Sequence, residues 1–130
     1  MRIYLVNPSD VSFGTAVITP RWQYVLAAAT PARHGTPVLV DETLEPMDED
    51  SVQPGDVVIL QDPQTAGLTD PASALGASVA WRCHVGVDEP NALARGAWNF
   101  LRPHVRDAGR YVFTRAEHAW EGLDAEKLRI

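Results

Sequence analysis

Apolar residues in this 130-residue chain gather into five short runs, at residues 3–6, 38–40, 57–60, 79–81 and 111–113. Each run is nearly continuous, with little alternation of polar positions. Runs of that kind predict strands covered by helices on both faces, the arrangement of parallel α/β sheets. Helical patterns fill the gaps. Thr19 and Pro20 have the character of an N-cap and first helical residue, and Trp22, Val25, Leu26 and Ala29 follow at helical spacing, with an end near Gly35. A second helix over residues 65–75 is interrupted by Pro71, so its regular part is expected near Asp70, ending before Gly76. The third follows Asp88, Glu89 and Pro90; its predicted inner face is Leu93, Ala97, Leu101 and Val105, and Pro103 is expected to kink or shorten it. The acidic, proline-bearing stretch 42–53 reads as a loop with at most a turn of helix. Residues 114–120 predict the start of a last helix, and 127–130 a final strand.

Strand, helix, strand, repeated, predicts a three-layer αβα sandwich around a doubly wound parallel sheet of about five strands, flavodoxin-like or Rossmann-like. With 130 residues the chain is expected to form one α/β domain over residues 1–130.

Composition narrows the partners. Seventeen Asp and Glu against eleven Lys and Arg leave a net charge of -6, with no basic run. Nucleic acid and anionic membrane are therefore not expected partners. A local basic pocket would have to come from residues such as Arg82 and Arg115. Cys83 is the single cysteine, which fits a reducing compartment; with no apolar run long enough for a signal or a membrane span, a soluble cytoplasmic protein is expected. Four histidines without metal-ligand spacing, and one cysteine, predict no metal site.

Ligands of doubly wound sheets bind beyond the carboxyl ends of the strands. Here those ends carry residues 7–10, 41–43, 61–64, 82–84, and Thr114 with Arg115. Loops there are polar in any such fold, because they face solvent and cap helices. No G-x-G-x-x-G follows the first strand, so a dinucleotide site of the usual kind is not expected. Asp62-Pro63 doubles as a helix-starting turn. Arg82 and His84, two apart in extended chain, project to the same side and can share one cluster of sugar hydroxyls; the structural alternative pairs Arg82 with Asp62, Asp88 or Glu89. Cys83 between them reads as a small buried hydrophobe.

Two family resemblances overlie this reading. The stretch MRIYLVNPSDVSFGTAVITPRWQYVLAAATPARHG with TPVLVDETLEP resembles the cobalamin-binding domain that precedes the barrel of some radical S-adenosylmethionine enzymes. That resemblance implies Asn7, Ser9, Asp10 and Thr15 as positions near the corrin's lower face, although the D-x-H-x-x-G pattern of many cobalamin proteins is missing. Downstream, ILQDPQTAGL, WRCHVGVDEPN, AWNFLRPHV and YVFTRAEHAWEGLD resemble the N-terminal domain of trehalose synthase-type retaining glycosyltransferases. There the resemblance implies a sugar cleft faced by Asp62 and Gln64, with Arg82 and His84 on the acceptor side; a histidine usually stands in place of Gln61.

The two resemblances change over near residues 55–62. The expected function is therefore that of an engineered chimeric α/β domain joined from a cobalamin-binding and a glycosyltransferase fragment, with no catalytic residues and no cofactor. One alternative is a ligand-binding module for cobalamin, a sugar or a nucleotide, using Asn7, Ser9, Asp10, Thr15, Asp62, Gln64, Arg82 and His84. Another is a truncated glycosyltransferase-like enzyme, and as an enzyme more generally the chain reads as a small transferase or hydrolase using Asp10, Asp62 and His84. Weak small-molecule binding and a monomer or homodimer are expected.

Overall fold

The computed structural model describes residues 2–7 and 21–130. Six strands, β1 (Ile3–Asn7), β2 (Val38–Asp41), β3 (Val57–Gln61), β4 (Ser78–Cys83), β5 (Arg110–Phe113) and β6 (Leu128–Arg129), form one sheet. Their order is β2-β1-β3-β4-β5-β6, and every neighbouring pair is parallel. This is the α/β, Rossmann-like arrangement with flavodoxin-like strand order, the pattern at 127–130 contributing the sixth strand. Strand order reverses between β1 and β3, which makes their carboxyl ends the topological switch point.

Among the described residues, three α-helices join the strands: α1 (Arg21–Ala29), α2 (Thr69–Ala74) and α3 (Ala92–Val105). Right-handed crossovers leading to opposite sides of β1 put α1 on one face and α2 with α3 on the other. The α2/α3 face carries the core. Tyr4, Val6, Val58, Leu60, Val79, Trp81, Tyr111 and Phe113 alternate along the strands and are buried. Trp98 of α3 and Trp120 close it, the two rings stacked with centroids 6.2 Å apart, and Trp120 lies 4.8 Å from Trp81. The β2–β3 crossover has no α-helix, only a 3-10 turn (Glu49–Ser51), as its acidic composition predicts; Val52 and Met47 pack from it onto the core.

Four expectations need correction. On α1, the buried side chain is Gln23, while Val25 is 66% exposed. Gln23 Nε2 donates to Leu5 O and Val40 O, 2.6 Å each, so this helix is seated on the sheet by an amide that bridges two strands. On α3, Leu93 is 84% exposed and Ala97 also faces solvent; Trp98 and Val105 are buried instead, with Ala94 and Leu101 packed beside them. A single large ring that reaches Trp120 sets the helix's rotation. Pro103 does not stop α3, which runs on to Val105 and ends within one turn of the proline. The N-cap is Asn91, whose Oδ1 accepts from Ala94 N at 2.9 Å. Residues 114–120 form a 3-10 turn (Ala116–His118) and no α-helix. Among the described residues, no helix is long and apolar enough to cross a membrane.

Candidate sugar-binding site at the carboxyl edge

The register sets Gln61 of β3 beside Arg82 of β4, on the sheet face opposite the core. One residue further along each strand stand Asp62 and Cys83, and then His84. Gln61 and Asp62 are buried, whereas the His84 side chain is 56% exposed. The side chains form one network. Arg82 Nη1 donates to Gln61 Oε1 at 2.8 Å, which turns the Gln61 amide nitrogen toward His84 Nδ1, 3.0 Å away. Asp62 Oδ1 accepts from the His84 backbone N–H at 2.9 Å, and Asp62 Oδ2 lies 2.6 Å from His84 Nδ1.

Asp62 is held in an unusual conformation. Its φ of 67° and ψ of 173° fall in a region that essentially only glycine occupies, and it is the only described non-glycine residue with positive φ. The surrounding bonds over-determine it. Asp62 N donates to Arg82 O at 2.7 Å, and Asp62 O accepts from Trp81 Nε1 at 3.0 Å and from Thr65 Oγ1 at 2.9 Å. In this conformation the carboxylate reaches across to the end of β4, where Oδ1 accepts from the His84 backbone N–H.

Chemically, a carboxylate oxygen has only lone pairs and an amide nitrogen only N–H donors, so the shorter, 2.6 Å contact to Asp62 takes the proton of His84 Nδ1, and Gln61 Nε2 borders the ring without bonding to it. Nε2 is then the outward nitrogen, turned to where a ligand hydroxyl can meet it. A buried anion orienting an exposed imidazole, flanked by an amide and a guanidinium, can bind adjacent hydroxyls by accepting from one and donating to the next. Cys83 takes no part. Burial, followed by the nearby Asp62 charge, pushes its thiol up to about 12, and its Sγ donates to Val85 O at 3.2 Å. An apolar hollow lined by Val6, Val58, Leu60 and Leu68 lies over the core face and contains none of these polar groups.

The remaining sequence candidates separate from this cluster. Gln64 is exposed on the 3-10 turn (Pro63–Leu68) and shares none of the network's hydrogen bonds among the described residues. Asn7 donates from Nδ2 to Asp41 Oδ1 at 2.9 Å. Burial pushes the Asp41 carboxyl up, but the Asn7 amide and the Thr43 donors outweigh it and hold the group below its usual value. Ser9, Asp10 and Thr15 lie outside the described residues. Arg82 pairs with Gln61, and Asp88 is taken by Arg115 and His118, each 3.2 Å away. No cluster of metal-ligating side chains occurs among the described residues. Gln61 stood among the strand-end positions but not among the candidate ligand-binding residues, and the Trp81 indole was in neither set. The signal for Gln61 was its place as the last residue of β3, next to Asp62.

Comparison with known proteins agrees with the downstream resemblance. The family described as the trehalose synthase N-terminal domain matches residues 37–120, a stretch that contains the whole network. A trehalose synthase of Pyrococcus horikoshii is 36% identical over 75 residues, which is 58% of this chain and 17% of that protein. One of Rubrobacter xylanophilus is 30% identical over 77 residues, 58% of this chain and 18% of that protein. The chain thus spans a small part of the length of these relatives. No solved structure gives a significant match. The match begins at residue 37, upstream of the expected change-over near 55–62, so β2 and the acidic crossover lie inside it; no match supports the cobalamin-domain resemblance. From residue 37 to residue 120, the chain belongs to the trehalose synthase N-terminal domain family.

Proposed function

We propose that this domain supplies the sugar-acceptor side of a trehalose synthase-type glycosyltransferase. A single observation carries the reading: a buried, strained Asp62 holds the exposed His84 at 2.6 Å, inside the family-matched stretch and at the sheet's carboxyl edge. Asp62 orients the imidazole, His84 Nε2 hydrogen-bonds a sugar hydroxyl, and the Arg82–Gln61 pair sets the amide that borders it. Because the matched stretch is so small a part of its relatives, transfer of a glycosyl group needs donor-binding parts beyond these residues. This is the reading of a partial glycosyltransferase, and it takes the place of a catalytically silent chimera as the better supported account.

Titration calorimetry tests it. Glucose or trehalose is expected to bind saturably with Kd near ~1 mM, about 4 kcal/mol. His84→Ala and Asp62→Asn are expected to weaken that binding at least ~10-fold, about 1.4 kcal/mol. UDP-glucose serves as the nucleotide-sugar arm and hydroxocobalamin as the arm for the upstream resemblance. Heat from hydroxocobalamin alone, or from no sugar at all, would refute the assignment.

A further inference from the structure

We propose that the outer edge of β2 is a self-association surface, to which a second copy of this chain adds its own β2, antiparallel, across a two-fold axis at Leu39. Among the described residues β2 has one neighbour, β1. Glu42 N donates to Asn7 O at 2.9 Å, so the even-numbered residues of this stretch turn their backbone groups to β1. By alternation, Leu39 and Asp41 turn theirs outward, and an edge of that kind is a template for another strand. The strand reads VLVD, with no lysine, proline or bulge to block it.

Self-pairing leaves no group unsatisfied. About an axis at Leu39, the Leu39 N–H and C=O of each copy bond those of the other. Each Asp41 N–H then meets the partner's Pro37 carbonyl. Pro37 has no N–H to return, and the acceptor opposite it, Asp41 O, already takes bonds from Leu44 N at 2.9 Å and Glu45 N at 3.1 Å. The single donor missing from this edge therefore falls where the single acceptor is already used.

Charge selects the same orientation. Arg33 and His34 stand just before β2, and Glu45, Asp48 and Asp50 just after it. Antiparallel pairing sets the basic turn of one copy against the acidic crossover of the other, while a parallel approach would set like against like. Neither Arg33 nor Glu45 has an ion-pair partner among the described residues. The flanking surface is apolar: Tyr24 is 56% exposed, Val25 66% and Leu44 86%.

Sedimentation velocity of the full chain over a concentration series tests the proposal. The mass is expected to rise from 14.2 kDa to twice that value and stop there, because the two-fold axis consumes the edge. Leu39→Pro is expected to stay monomeric with an unchanged circular dichroism spectrum, since the lost N–H lies outside the intrachain ladder. Should that variant fail to fold, Leu39→Lys, expected to weaken the dimer at least about tenfold, gives the reading. Amide exchange at Leu39 and Asp41 is expected to slow as the dimer forms, with Val40 unaffected. A monomer at every concentration, a dimer that survives Leu39→Pro and Leu39→Lys, open-ended growth, or a dimer dissolved only by changing Leu93 and Phe100 on α3 would each overturn it.

Discussion

Asp62 shows how one backbone conformation makes the site. A residue at φ 67° and ψ 173° costs about 1–3 kcal/mol unless it is glycine. Asp62→Ala keeps that strain and loses the carboxylate, whereas Asp62→Gly loses both. Urea denaturation is therefore expected to find the glycine variant more stable than the alanine variant by about 1 kcal/mol, net of glycine's greater freedom when unfolded. Equal midpoints would mean that the conformation is not strained. Asp62 and His84 were both legible as strand-end residues, but their junction was not. Nothing in the string DPQ announces a positive φ, and a residue before proline is ordinarily extended at negative φ. Gln64 looked equivalent to its neighbours because its exposure depends on the 3-10 turn that carries it.

At the level of elements, spacing shows which residues share a face, and packing decides which face turns inward. On α1 the apolar set Trp22, Val25, Leu26 and Ala29 has the right period, yet the inward position is taken by Gln23. Its amide reaches carbonyls on both β1 and β2, which an aliphatic chain cannot do. Gln23→Ala is accordingly expected to cost about 1–3 kcal/mol through the lost hydrogen bonds and packing. Val25→Ala, on the exposed side, is expected to stay within about 0.5 kcal/mol. Thermal melts of the two variants check this, and a reversed order would put the helix in a different rotation. The same principle turned α3 toward Trp98 and left Leu93 in solvent.

For the molecule as a whole, stability follows its titratable groups. Burial pushes Asp56 up, but the backbone N–H groups of Arg2 and Gln53, and the Arg2 guanidinium, outweigh it and hold the carboxyl low. Hydrogen bonds from Arg95 hold Glu121 low as well, and Asp41 is also depressed. Folded values below the unfolded ones mean that the unfolded chain takes up protons first. The stability these groups supply is present above their unfolded pKa and is lost as pH falls below ~4. Cys83 acts at the other end: its thiol is held near 12 in the fold against 9.0 ordinarily, so above pH 9 the unfolded chain ionises first and unfolding is favoured. Urea midpoints are expected to form a plateau near neutrality and decline on both sides, and Cys83→Ala is expected to flatten the alkaline side. A midpoint that does not fall between pH ~5 and ~3 would contradict the acid half.

By itself the sequence determined the parallel α/β class, because continuous apolar runs separated by helix-length connections have few other ways to bury themselves. It also determined the strand-end positions from which a site is drawn, and an acidic crossover without a helix. Strand order, the rotation of α1 and α3, and the union of Gln61, Asp62, Arg82 and His84 belong to the tertiary structure. These depend on register between distant segments and on one backbone angle, and the energies involved come from neighbours that no local pattern records.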